Sequence, residues 1–102
     1  MIGSNDWEQR TELLIGEKNI EKLHRSRVLV VGLGGVGACT AEMLCRAGVG
    51  QMTIVDGDTY QLTNLNRQLS SFTGNIGKKK AIVIAKKLID INPGIILKVV
   101  DE

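Results

Sequence analysis

Apolar residues are distributed along this chain in two alternating rhythms. Three short runs rich in β-branched residues, Arg27 to Val31, Met52 to Asp56 and Ile95 to Val100, read as strands. Between them, Val36 to Ala47 and Lys78 to Ile91 carry helical spacing, so the predicted order is β-α-β-α-β. In the first helix Val36, Thr40, Met43 and Ala47 share a face, while its charges, Glu42 and Arg46, form an i,i+4 pair on another. That helix is expected to lie mostly buried against a sheet. In the second, Ala81, Ile84, Ala85 and Leu88 make the apolar stripe, with Lys79, Lys86, Lys87 and Asp90 on the wet side. Asn92-Pro93-Gly94 stops it, because proline cannot continue the hydrogen-bond ladder and glycine supplies the turn. Asp6 to Leu23 reads as one or two short helices broken near Gly16, with Asn5 or Asp6 as N-cap.

Strands alternating with helices imply parallel pairing with crossover connections, the opening of a doubly wound α/β, Rossmann-like fold. Residues 1–26 then form an N-terminal helical segment, and 27–102 the first half of the domain. Three strands are half of such a fold, so the 102 residues are expected to be an N-terminal piece of a longer protein. Whichever strand ends the sheet would expose unpaired backbone.

Composition narrows the class. A hydrophobic fraction of 43% beside 24% charged residues suits a globular domain and argues against disorder. Trp7, Tyr60 and Phe72 are the aromatics, so the core must be aliphatic, and Trp7 is expected to anchor the N-terminal helix. A net charge of +2 is too small for bulk capture of nucleic acid. No apolar run approaches the roughly 18 residues of a membrane span, which makes a cytoplasmic, non-membrane protein the expectation. Cys39 and Cys45 fall on different faces of one helix, outside metal-ligand spacing, and read as reduced, packed thiols. His24, near a helix end, reads as structural.

The chemistry gathers where the first strand breaks into glycines, "VLVVGLGGVG". Gly32-x-Gly34-x-x-Gly37, with Gly35 between, follows a strand and opens a helix, the context in which this spacing cradles a phosphate. Free N–H groups and the positive end of the helix dipole favour an anion there. Asp56 ends the second strand 24 residues after Gly32, placed to accept hydrogen bonds from ribose hydroxyls. The turn alone does not separate NAD from ATP. A hydride-transferring enzyme makes no demand on the next segment, yet here "GDTYQLTNLNRQLSSFTGNIGKKKA" carries Asp58, Asn64, Asn66, Arg67, Gln68 and three lysines. Phosphoanhydride cleavage needs cations around the leaving pyrophosphate, and Arg67 with one of Lys78, Lys79 or Lys80 supplies them. An NAD-dependent oxidoreductase and a non-catalytic nucleotide-sensing or dimerisation module are the competing classes.

"RVLVVGLGGVG", "AGVGQMTIVDGDTYQLTNLNRQ" and "GKKKA", in that order and spacing, resemble the nucleotide-binding half of the ThiF/MoeB/HesA family, relatives of the ubiquitin-activating enzymes. The resemblance covers about Arg10 to Val100. It implies Mg-ATP-dependent adenylation of a carboxylate with release of pyrophosphate. Carried across by position, Gly32 to Gly37 lie along the ATP phosphates and Asp56 holds the ribose. Asn64, Arg67 and Gln68 occupy the N-x-x-R-Q segment that contacts the triphosphate, Lys80 is the family lysine, and Asp58 is a second acidic position near the site. The magnesium aspartate and, in some members, a thioester cysteine are expected beyond Glu102. The resemblance further implies a homodimer in which Arg10, six residues before Gly16, reaches the γ-phosphate bound by the partner subunit. "DWEQRTELLIGEKNIEKL" followed by "AEMLCRAGVG" is most similar to the dehydratases that activate a carboxylate on a modified tRNA base and cyclise it. Activators of a small ubiquitin-like sulfur-carrier protein are the alternative.

Overall fold

In the computed structural model, which describes residues 6–68 and 72–102, three parallel strands stand in the order β1 (Arg27–Val31), β2 (Gln51–Val55), β3 (Ile96–Val100). Val28, Met52 and Leu97 align across the sheet, as do Val30, Ile54 and Val99, so one face is a continuous aliphatic surface. Helices α3 (Gly35–Ala47) and α4 (Lys80–Ile91) connect the strands and pack on that face, burying Ala38, Ala41 and Cys45 from α3 with Ala81, Ile84, Ala85 and Leu88 from α4. The α4 stripe matches the one its spacing predicts. Asn92 ends the helix: its carbonyl accepts from the Ile95 N–H at 3.0 Å and its side chain from the Gly94 N–H at 3.1 Å.

Helix α3 turns the other way from its predicted orientation. Val36 is 83% and Met43 52% exposed, and the face they share with Thr40 and Ala47 points to solvent. The cause is the glycine turn before it. A Cβ on Gly37 would lie 1.7 Å from the Gly32 carbonyl oxygen, so helix and strand meet at a distance that admits only small side chains. Ala38, Ala41 and Cys45 satisfy that condition, and the bulkier face is left outside. The Glu42–Arg46 pair forms as predicted, at 3.1 Å, and Lys87 of α4 joins it at 2.9 Å.

Before β1, a 3₁₀ turn at Asp6–Glu8 leads into α1 (Gln9–Ile15) and α2 (Glu17–His24), hinged at Gly16 with φ +86°. Of the two predicted N-caps, Asn5 lies outside the described residues and Asp6 belongs to the 3₁₀ turn; α1 itself starts behind Glu8, which makes no side-chain cap bond. Trp7 is 42% exposed and is not the anchor; the neighbouring Glu8, 1% exposed, is buried instead. Cys45 is buried, with its thiol 3.5 Å from the Leu88 carbonyl oxygen, whereas Cys39 is exposed and not packed. Among the described residues, no helix is long and apolar enough to cross a membrane.

Candidate active site

The site grows from the C-terminal ends of β1 and β2, where an open parallel sheet leaves a crevice. Gly32, with φ +87°, reverses the chain out of β1 while its N–H donates to the Val55 carbonyl at 2.7 Å. Only a residue without Cβ adopts that conformation cheaply. Gly34 caps α3, leaving the first N–H groups of the helix without intrahelical acceptors, and the loop is held in place by Asp56. The Asp56 carboxylate is 8% exposed; one oxygen accepts from the Leu33 N–H at 2.6 Å and the other from the Asp58 N–H at 2.7 Å. It therefore ties the glycine loop and the loop after β2 together from below, a task its position in the sequence did not disclose. Each oxygen keeps a second lone pair for an incoming hydroxyl.

The polar segment after Asp58 folds back onto the glycines. A Cβ on Gly35 would lie 3.1 Å from the Arg67 carbonyl oxygen, and one on Gly34 3.9 Å from Gln68 Nε2. Asn64 knots this turn: its side-chain oxygen accepts from the Gln61 N–H at 2.8 Å, and its carbonyl accepts from the N–H groups of Arg67 and Gln68 at 3.1 and 3.0 Å. The second anchor is a short ladder in which Tyr60 exchanges bonds with Lys78 and Gly77, and the Lys80 N–H donates to the Asp58 carbonyl at 3.0 Å. Through it the start of α4 is pinned beside the N-x-x-R-Q turn.

Of the three lysines, Lys80 is the one directed inward. It is 7% exposed, with its ammonium 5.9 Å from the centre of the Tyr60 ring. Lys79 is paired with Asp101 at 2.5 Å, and Lys78 is exposed. Lys80, Asp58, Asn64, Arg67 and Gln68 line a hollow of about 480 Å³ that shares Gly57 and Asp58 with a second, of about 490 Å³, over Gly32 and Asp56. The structure thus gathers Gly32, Gly34, Gly35, Asp56, Asp58, Asn64, Arg67, Gln68 and Lys80 at one crevice, with Gly37 behind them as the close-packing contact. Arg67 is exposed and lies along its own turn, donating to the Thr63 carbonyl at 2.9 Å and to Asn66 at 3.1 Å. Arg10 is exposed on α1 and does not line this crevice.

Tyr60, one of two aromatics in the long polar stretch after Asp56, has no role assigned from sequence; it is 1% exposed, whereas Phe72 is 62% exposed. The chemistry of the crevice is that of an anion site: helix N–H groups, a buried lysine and an adjustable arginine face a shared space. Gln68 adds a neutral probe. It is 6% exposed, and its Oε1 has no hydrogen-bond partner among the described residues, so it can accept from a hydroxyl or water brought in with a ligand.

Comparison with known proteins agrees with this chemistry. A sequence model of the ThiF family matches residues 8–102. The tRNA threonylcarbamoyladenosine dehydratase of Escherichia coli is 41% identical over 105 residues, an overlap of 100% of this chain and 39% of the relative. The sulfur carrier protein adenylyltransferase of Thermus thermophilus is 39% identical over 78% of this chain and 29% of its own length. The crystal structure of the E. coli dehydratase in complex with ATP superposes with a TM-score of 0.90 at 40% identity, over 100% of this chain and 43% of that one. The chain therefore spans about two fifths of the length of the E. coli dehydratase and less of the Thermus adenylyltransferase.

Proposed function

The chain belongs to the ThiF family, and from that premise we propose that the whole protein adenylates a carboxylate with ATP, releasing pyrophosphate. The observation that carries the proposal is the contact of the N-x-x-R-Q turn with the glycine loop, with Lys80 in the same hollow. A nicotinamide-binding turn has no use for a lysine and an arginine beyond its pyrophosphate; a leaving pyrophosphate does. Mg-ATP supplies the activated α-phosphorus, and the carboxylate oxygen attacks it as the bond to the leaving pyrophosphate breaks. On this chain, the N–H groups of Gly34 and Gly35 and the start of α3 cradle phosphate oxygens, and Asp56 accepts from the ribose. Arg67 swings from its parked contacts onto the triphosphate, and Lys80, desolvated against Tyr60, stabilises the charge that grows on the departing group. Gln68 accepts a donor carried by the bound nucleotide.

The substrate proposed is a carboxylate on a modified tRNA base, as in the dehydratases; a sulfur-carrier protein's C-terminus is the second reading, supported by the similarity to the Thermus adenylyltransferase. The active unit proposed is a two-fold dimer in which Arg10 reaches the partner's ATP, since it stands away from the crevice of its own chain. Titrating the full-length protein with Mg-ATP and with NAD tests the class: NAD binding without ATP binding sinks it. ATP–pyrophosphate exchange is expected to fall about 100-fold or more in Arg67→Ala and Lys80→Ala with a smaller change in ATP affinity, because their charges matter most in the transition state. Mixing Arg10→Ala with Lys80→Ala subunits should restore about one working site in each heterodimer. A mixture as inactive as its parents after proven subunit exchange removes Arg10 from the partner's site.

A further inference from the structure

We propose that Glu8 and His24 are positioning residues, a seat that fixes the N-terminal arm on the nucleotide-binding domain and so determines where Arg10 projects. The inference rests on the reading above in which Arg10 serves a phosphate site.

The arm, residues 6–24, is poorly buried. Helix α1 buries none of its residues, and Leu13 and Leu14 are each 84% exposed. Its deep contacts are Ile20, 0% exposed, and Glu8, 1% exposed. Ile20 gives adhesion without direction, since apolar contact is non-directional. Glu8 gives direction. Both of its carboxylate oxygens lie 2.9 Å from Nε2 of His24, the last residue of α2, so the two ends of the arm are clasped to each other.

The clasp sits on a floor of glycine. A Cβ on Gly48, the left-handed cap of α3, would lie 2.6 Å from Glu8 Oε2, and one on Gly50 would lie 1.8 Å from the His24 carbonyl oxygen. The Gly50 N–H donates to the Leu23 carbonyl at 3.1 Å, and the Gln51 N–H to that of Ser26 at 3.1 Å, so the end of the arm is stitched to the start of β2. Asn92 and Gly94 of the α4–β3 turn complete a hollow of about 220 Å³ around the pair. The seat is therefore made where three connections of the domain converge, at the opposite ends of β1 and β2 from the glycine loop.

Arg10 follows Glu8 by two residues, on a helix that buries none of its own residues, so where Glu8 is held bears directly on the direction of α1. An arginine that serves a phosphate across an interface must arrive within about an ångström, since a misplacement of that size costs on the order of 100-fold in rate. A buried carboxylate hydrogen-bonded to a ring nitrogen gives that definition better than an apolar contact of equal area, because a hydrogen bond is directional.

The test uses the full-length protein with Glu8→Ala, Glu8→Gln and Arg10→Ala. Hydrogen exchange of the α1 amides, Gln9–Ile15, should be about tenfold faster in Glu8→Ala with α3 and α4 unchanged, because only the arm is released. Turnover in pyrophosphate exchange should fall about tenfold with KM for ATP within about twofold, because the ATP crevice is untouched. Glu8→Gln, which keeps the shape and one acceptor for the His24 N–H, should lie between and guards against a folding defect in the alanine variant. Unchanged α1 exchange in both Glu8 variants overturns the seat. Faster α1 exchange with wild-type turnover overturns its role in positioning Arg10. Faster exchange in Glu8→Ala alongside a wild-type rate in Arg10→Ala upholds the seat and overturns the reading of Arg10 alone.

Discussion

At the scale of single residues, Asp56 carries two duties, because a buried carboxylate has more lone pairs than one ligand uses. Its oxygens accept from the N–H groups of Leu33 and Asp58, which makes it the tie beneath the crevice as well as the proposed ribose acceptor. In Asp56→Asn one of those N–H groups faces an amide nitrogen, leaving a buried donor unsatisfied at a cost of about 1–3 kcal/mol. Urea unfolding of the variant should show that loss even without nucleotide; equal stability would mean the loops do not depend on the tie. The cysteines divide as sharply. Burial raises the Cys45 thiol above the ordinary range, with the nearby Arg46 opposing and Glu42 adding to the shift, while Cys39 stands exposed. Iodoacetamide near neutral pH should label Cys39 in the native protein and Cys45 only after denaturation. Ionisation of Cys45 is favoured in the unfolded chain, so this thiol's contribution to stability is full below the ordinary thiol pKa and is lost as pH rises from there through the raised folded value.

At the scale of elements, the α3–α4 contact is sealed at its rim by one carboxylate between two cations. The Lys87 hydrogen bond is the largest influence holding the Glu42 carboxyl below its ordinary range; burial opposes it, and Arg46 assists. Since the folded group ionises more readily than the unfolded one, its contribution is present above the ordinary carboxyl pKa and disappears as pH falls through the lowered value. Exposed pairs of this kind are worth no more than about 1 kcal/mol. Lys87→Met should therefore cost little at neutral pH and flatten the acid side of the stability–pH curve, read from urea midpoints. An unchanged acid limb would show that the pair contributes nothing there.

At the scale of the whole molecule, the described residues cover the sheet on one side only. The bare face carries Leu29, Val31 and Ile96, which are 63, 70 and 64% exposed, in rows with Thr53, Val55, Lys98 and Val100. Parallel sheets are found almost only with both faces covered, so a face this apolar is expected to be sticky when left to water. These 102 residues alone are expected to self-associate at micromolar concentration, and Leu29→Thr with Val31→Thr should shift them toward monomer in light scattering. A monodisperse monomer with the native face would refute this. Pyrophosphate exchange is expected from the full-length protein and not from this chain by itself.

Much of this arrangement was legible in the sequence because it is carried by local chemistry. Glycine spacing, β-branched runs, the Asn92-Pro93-Gly94 stop and the order of polar residues after Asp56 dictate backbone shapes that depend on neighbours a few residues away. From them came β-α-β-α-β, strand boundaries within a residue of those observed, and a crevice whose proposed residues lie together. The orientation of α3 was not legible, because it depends on how closely Gly37 lets a helix approach Gly32. The chemistry of the residues left Lys78, Lys79 and Lys80 open and the family resemblance alone pointed to Lys80; the ladder between Tyr60 and the start of α4 supplies the physical reason it is the one that faces inward. The burial of Glu8 in place of Trp7 was equally hidden, since it follows from His24 and Gly48, which reach the same hollow only after the sheet has formed. Sequence determined which polar groups this protein places after each strand; tertiary structure decided which of them face the crevice, because that depends on contacts between residues far apart along the chain.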